Sequence, residues 1–288
     1  HLVGLGLSET MNYSFVSQGL LDRFGRDDEA RRVALPDPVS ADHGLMRDSL
    51  IPQMAESLGR NAAHQQLDAA CFEIGRVFFR NAGAIGEEDR LCLGLMGRQP
   101  GAGEVSEEIL FLRLKGLLEE LARIQKAPAP ELTAATHPAF AEGWCTSVCL
   151  GGESVGLLGL LHERIRHEWR MPSPVAVCEV RLDPLLEAVF TAPTFSEIPV
   201  YPSVERDLAA IVDASVRHGD IVRVIESGAP VELTSVDLFD IFSSDDIGKG
   251  RKSMAYSLTY RSAEQTLTDE AVNRLHAGIV ERLKKELR

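Results

Sequence analysis

Three charged side chains interrupt one apolar run. The stretch AACFEIGRVFFRN, residues 69–81, has the aromatic and β-branched content of a strand, yet Glu73, Arg76 and Arg80 stand in or beside it. Charges on a strand that buries a face must pair with each other, hold an anion, or meet a partner, because bare burial of an ion is costly. A second concentration of charge is the tetrad Lys249-Gly250-Arg251-Lys252. It is the densest basic spot outside the C-terminal helix of a chain with a formal net charge of −13. Grouped cations of this kind neutralise phosphates, while the acidic balance of the whole argues against broad nonspecific nucleic-acid binding. The five cysteines, Cys71, Cys92, Cys145, Cys149 and Cys178, are scattered in apolar surroundings. Cys145 and Cys149 lack a second pair or nearby histidines at zinc spacing, so reduced, buried thiols are expected and no metal site.

The elements that must position these charges follow from periodicity. TMNYSFVS (10–17) reads as a strand after a glycine-rich start; that start lacks the preceding strand and the Lys-Ser/Thr of a phosphate loop. Asp48 or Ser49 is expected to cap a helix running to about residue 63, with Leu50, Ile51, Met54 and Leu58 at helical spacing and Pro52 in the first turn. Residues 69–81 are a strand, 81–89 a loop and 90–97 a returning strand. Residues 108–126 form an amphipathic helix ended by Pro128 and Pro130, and 143–165 a hairpin turning at Gly151-Gly152. Residues 175–189 run from strand into short helix. A linker at 191–199, punctuated by Pro193 and Pro199, divides the chain into 1–193 and 194–288. Beyond it the order is strand (205–213), helix (218–229), strand (231–242), a DDIGKG turn, strand (252–262) and helix (266–287), the last capped by Thr268. This β-α-β-β-α order is the ferredoxin-like split motif with its last strand missing or short. Met254, Tyr256, Leu258 and Tyr260 should face its helices, leaving Ser253, Ala255, Ser257, Thr259 and Arg261 on an open face.

No apolar run approaches the ~20 residues of a membrane span. Residue 1 is His and no charged-then-apolar leader follows, which reads as a piece of a longer cytoplasmic chain and not a secreted precursor.

The pieces GLSETMNYSFV, LMRDSLIPQMAESLGRN, FEIGRVFF, FLRLKGLLEEL, HPAFAEG, VGLLGLLHERI, YPSVERDLAAIVD, LFDIF and KSMAYSLTYRSAEQTLTDEAV occur in the order found in one family. Together they resemble the C-terminal part of the beta subunit of bacterial phenylalanyl-tRNA synthetase, over almost the whole chain. The resemblance implies an α+β architecture: a non-catalytic, class II synthetase-like antiparallel sheet flanked by helices, then a ferredoxin-fold anticodon-binding domain. It implies an alpha subunit as partner in a two-alpha, two-beta assembly, tRNA for phenylalanine as the RNA, and no membrane. ATP and Mg2+ would serve the assembled enzyme and not this chain. The competing reading is a free-standing RNA-binding or regulatory paralogue.

By the same resemblance, a strand-loop-strand bearing an arginine holds the ATP α-phosphate in class II enzymes, and Arg80 falls near that place. The glycine-rich third motif of the class has no counterpart: Glu163 and Arg164 follow His162 in the wrong setting. Glu73, Arg76 and Arg80 are therefore read as structural, in ion pairs or at an interface. Arg47, Met54, Leu58, Glu73, Arg76 and Arg80 are the expected subunit interface. Arg206, Lys249, Arg251, Lys252 and Arg261 are the expected tRNA contacts.

Overall fold

The computed structural model describes residues 1–25, 29–81, 83–99, 105–187, 197–244 and 247–286. The chain divides into two compact units, His1–Pro193 and Thr194–Arg288. Most of the expected linker, and the start of the DDIGKG turn, lie outside the described residues.

In chain order the first unit contains β1 (Ser8–Glu9), β2 (Phe15–Val16), α1 (Gln18–Arg23), β3 (Leu45–Met46), α2 (Ile51–Ala63), β4 (Ala69–Asn81) and β5 (Ala84–Met96). There follow α3 (Glu107–Gln125), β6 (Glu131–Ala134), β7 (Phe140–Leu150), β8 (Glu153–Leu161), α4 (Glu163–Glu168), β9 (Val175–Arg181) and α5 (Asp183–Leu186). Among the described residues one sheet has seven strands in the order β1-β4-β5-β9-β8-β7-β6. The β1–β4 pair is parallel and the other neighbours are antiparallel. Both faces are covered. On one, α2 packs Met54, Ala55 and Leu58 against Cys71, Val77, Cys92 and Val177. It lies so close that a Cβ on Gly94 would sit 2.7 Å from the Met54 Cγ, the usual reason for glycine in a strand interior. On the other, Leu110, Leu114, Leu117 and Leu118 of α3 pack on Leu91, Leu93, Leu158 and Cys178.

Two expectations change and a third gains a distant partner. The strand expected over 10–17 shrinks to Phe15–Val16, because the preceding residues are spent on side-chain bonds described below. The loop expected over 81–89 is mostly strand: β5 begins at Ala84, and Arg76 of β4 stands directly opposite Asp89. Acids are rare in strands, but opposite charges facing across a ladder stabilise it. At the α2 N-terminus the Ser49 hydroxyl accepts the Ile51 N–H at 3.2 Å, as one of the two expected caps, and donates to Glu179 of β9 at 3.0 Å, which also accepts the Leu50 N–H. The β7–β8 turn does fall at Gly151 and Gly152, with φ of 58° and 85°, the left-handed pair such a hairpin requires.

The second unit contains β10 (Val204–Asp213), α6 (His218–Glu226), β11 (Leu233–Phe242), β12 (Arg251–Tyr260) and α7 (Asp269–Glu286). The order is β10-β12-β11, all antiparallel. Met254, Tyr256, Leu258 and Tyr260 are buried against Ile221, Ile225, Val272 and Ile279 of the two helices. Thr268 caps α7 by accepting the Ala271 N–H at 3.3 Å. Among the described residues no helix is long and apolar enough to cross a membrane.

Candidate functional site

The charges of β4 fall into three situations. Glu73 is buried and receives Arg47 Nη1 at 2.6 Å, both side chains being nearly dry. Arg47 also donates to the Arg76 carbonyl at 2.9 Å and to Gln53 Oε1 at 3.2 Å. Asn12 completes the cluster: its Nδ2 donates to Glu73 at 2.7 Å, and its Oδ1 accepts from Ser57 at 2.9 Å and Arg60 at 3.2 Å. This is where the backbone of residues 10–14 is held, and why it is not a strand. Arg76 is exposed and bonds Asp89 and Glu87, each at 2.9 Å. Its guanidinium is held charged first by the Asp89 hydrogen bond, and the same bond lowers the Asp89 carboxyl. Arg80 is exposed and makes no ion pair among the described residues.

For Arg47, Met54, Leu58 and Glu73 the expected interface role is corrected. Met54 and Leu58 have no exposure, and Arg47 and Glu73 have 4% and 2%. A partner cannot touch side chains that the first unit's own core already encloses. Helical spacing marks a covered face and is silent on what covers it. Arg76 and Arg80 remain on the surface, as do Met11 at 94% and Tyr13 at 76% exposure, on the segment that Asn12 pins.

Arg90 of β5 donates to Glu179 and Glu88, each at 2.7 Å. Burial opposes its charge, and Glu179 followed by Glu88 outweighs it, so its pKa rises. Cys92 and Cys178 are pushed well up by burial, so they stay protonated thiols.

In the second unit the sheet has one face on helices and one uncovered. Strand register assigns each candidate cation, because residues directly opposite share a face. Arg251 lies opposite exposed Asp213, on the open face. Lys252 lies opposite buried Val212, and Arg206 opposite buried Leu258; both are on the helix side. Arg206 is taken up by α7, bonding Asp269 at 2.5 Å and Asn273 at 3.1 Å. Arg206 thus stands on the helix side, partly exposed and engaged with exposed Asp269, and not on the open face. Lys249 sits in the turn between Gly248 and Gly250, whose φ values are 104° and 74°. Arg261 follows β12 at its far end, and its Nε is buried with no hydrogen-bond partner. At about 3.3 Å per residue, the ten residues from Arg251 to Arg261 span about 33 Å, so the expected cations do not form one patch.

Sequence reading missed the apolar part of this face. Ser253 has Ile211 on one side and Phe242 on the other, and these are 51% and 53% exposed. A row Ile211–Ser253–Phe242 thus crosses the open face one step from Arg251. The signal was present in LFDIF and DLAAIVD, but only the register brings the two together. Toward the other end Glu205, Asp207 and Asp237 are exposed, while exposed Asp240, opposite Ala255, stands next to the row; cation and apolar surface coincide at the Arg251 end. Beneath the sheet Tyr256 and Tyr260 reach His218 Nδ1 at 3.2 Å and His276 Nδ1 at 3.1 Å. Burial raises both phenols to about 12.

Comparison with known proteins agrees with both units. Residues 1–182 match the family described as phenylalanyl tRNA synthetase beta chain CLM domain, and residues 199–288 match the ferredoxin-fold anticodon binding domain. Among curated proteins the chain is similar to the phenylalanine–tRNA ligase beta subunit of Symbiobacterium thermophilum, 32% identical over 290 residues, which are 98% of this chain and 32% of that protein. The beta subunit of Clostridium tetani is 32% identical over 295 residues, 99% of this chain and 36% of that one. The chain thus spans about a third of the length of the curated relatives it matches. Among solved structures, the pyrrolysyl tRNA synthetase of Desulfitobacterium hafniense superposes with a TM-score of 0.51 and 15% identity, over 64% of this chain and 61% of that one. At that identity the likeness is one of fold.

Proposed function

The chain belongs to the phenylalanyl-tRNA synthetase beta chain family, and from that premise we propose that it supplies the RNA contact and part of the subunit contact of a phenylalanine–tRNA ligase. The assembled cytoplasmic enzyme would join phenylalanine to its tRNA at the expense of ATP, the chemistry residing in an alpha subunit, with two subunits of each kind. The observation that carries the RNA reading is the open sheet end where Ile211, Ser253 and Phe242 lie beside Arg251 and Lys249. Unpaired bases of an RNA loop stack on exposed aromatic side chains while nearby cations take the phosphates.

ATP and Mg2+ fit this chain poorly. The arginines of the β4–β5 hairpin that could take a triphosphate are already matched, Arg76 by Glu87 and Asp89, Arg90 by Glu88 and Glu179. Among the described residues Arg80 alone of them makes no ion pair, and a nucleotide site needs several such donors. Among the described residues no three acids, histidines or cysteines are grouped to hold a metal ion. We therefore assign both cofactors to the partner. The surface offered to that partner is Arg76 and Arg80 with the pinned Met11–Tyr13 segment, Tyr, Met and Arg being types enriched at interfaces.

The test is binding of a phenylalanine-tRNA anticodon stem-loop as a function of salt. Each neutralised phosphate adds about 0.7 to the slope on single strands. Lys249→Ala/Arg251→Ala/Lys252→Ala should lower the slope by roughly 2 if all three act, and nearer 1.4 if Lys252 stays on the helix side. Phe242→Ala should weaken binding by about 1–3 kcal/mol with the slope unchanged. Folded variants with parental affinity and slope would overturn the assignment of this face.

A further inference from the structure

The first unit has a cleft of about 400 Å3 that the synthetase reading leaves unused. Its wall is drawn from the end of α2, the start of β4 and the turn after β5, and includes Asn61, Asp68, Arg98 and Gln99. That turn is held in place. Gly97 has a φ of 70°, a Cβ there would collide with the Leu67 carbonyl, and Asp68 Oδ1 accepts the Arg98 N–H at 2.7 Å. The turn sets Gln99 into the wall with only 4% of the residue exposed. Gln99 Nε2 donates to the carbonyls of Met96 at 3.0 Å and Ala69 at 3.3 Å. An amide oxygen could not stand between two carbonyls, so the orientation is fixed and Oε1 is the polar atom left to the cleft. It accepts no hydrogen bond among the described residues. A nearly buried acceptor without a donor is costly.

Asn61 repeats the arrangement. Its Nδ2 is held by the Ser57 carbonyl at 2.9 Å, which leaves Oδ1 without a donor among the described residues. Asp68 keeps its second carboxylate oxygen. One cation stands against these acceptors: the Arg98 side chain is exposed and makes no ion pair or hydrogen bond among the described residues.

Several oxygen acceptors together call for a group with several N–H donors, and a primary ammonium has three. A guanidinium beside them calls for a carboxylate, which its fork matches. A phosphate is the poorer fit, because acceptors outnumber donors in the wall. A metal ion is poorer too, because the guanidinium lines the same cleft as the single carboxylate. Ala69, Ala70 and Cys71 leave an apolar stretch of wall for a small side chain.

We propose that this cleft binds a small α-amino acid as its zwitterion, the ammonium on the oxygens of Gln99 and Asn61 and the carboxylate on Arg98. The site is independent of the RNA reading of the second unit.

The test is equilibrium dialysis of the 288-residue chain against labelled L-valine, L-valinamide and N-acetyl-L-valine. Valine should bind saturably. Valinamide lacks the carboxylate and N-acetylvaline the ammonium, so each should bind about tenfold more weakly or not at all, as loss of a charge-assisted contact requires. Arg98→Ala should bring valine down to the level of valinamide and leave valinamide itself unchanged. Asn61→Ala should weaken valine and valinamide alike while keeping the thermal midpoint, because alanine is the better helix former. Should that variant melt early, the Arg98→Ala comparison decides alone, since the side chain removed there holds nothing in the fold. Valine binding that does not saturate, or that is equal in the parent and in Arg98→Ala, overturns the proposal.

Discussion

Arg47 Nη1 sits 2.6 Å from Glu73 Oε1, with 4% and 2% of the two side chains exposed. A pair so enclosed is unforgiving of half-removal. Glu73→Ala should cost about 3–5 kcal/mol, because it strands a charge in the interior. Arg76→Ala, three residues along but in water, should leave the unfolding midpoint near the parent's. Urea unfolding followed by tryptophan fluorescence decides this; equal losses in both variants would mean that the Arg47 charge is relieved by water.

Gly59 of α2 faces Trp169, whose Cβ would lie 2.6 Å from an added Cβ. Backbone and a ring that also packs on Phe24 at 5.9 Å must then part. Gly59→Ala should therefore destabilise the first unit by about 1–3 kcal/mol, as overpacking does. This is opposite in sign to the gain that helix propensity alone predicts for Gly→Ala, so a thermal melt separates the two effects.

Arg282 of α7 reaches the end of α6. It donates to the carbonyls of Ser227, Gly228 at 2.8 Å and Ile225 at 3.4 Å. Arg282→Ala leaves these acceptors bare and should lower the stability of the second unit by about 1–3 kcal/mol. Lysine should restore only part, having a point charge in place of a fork. Circular dichroism of the second unit's transition provides the readout.

His276 has its pKa lowered, first by burial and then by Arg206. The neutral ring is the folded form, so the unfolded chain binds the proton more tightly. The sign follows: stability is whole above the ordinary value of 6.5 and declines as pH falls toward and through the lowered one. Asp213, lowered by the Ser215 hydroxyl and N–H, adds a loss at more acid pH. Thermal midpoints from pH 7.5 to 5 should fall for the parent and less for His276→Gln, and parallel curves would remove His276 as the cause.

How much of this was written in the sequence differs by element. The alternation Met254, Tyr256, Leu258, Tyr260 named the buried face of β12 without ambiguity, because a strand repeats every two residues. The same parity already put Lys252 on the helix side, and a count of nearby cations concealed it. The start of β5 was hidden by Glu87, Glu88 and Asp89, whose place in a strand depends on Arg76 and Arg90 beside them. At the start of α2 Ser49 was legible as a cap, but its partner was out of reach, since Glu179 is 129 residues from Leu50. Met54 and Leu58 were recognised as covered and assigned the wrong cover. Phe242 and Ile211 gained meaning only when Ser253 was found between them.

The burial of Tyr256 and Tyr260 gives the second unit its own optical clock. Both tryptophans of the chain, Trp144 and Trp169, belong to the first unit, so indole emission is blind to the second. The two phenols, held near 12 by burial, regain the ordinary value of about 10 once the sheet opens. Between about pH 10 and 12 the appearance of further tyrosinate absorbance therefore times the opening of the second unit, while emission times the first in the same cuvette.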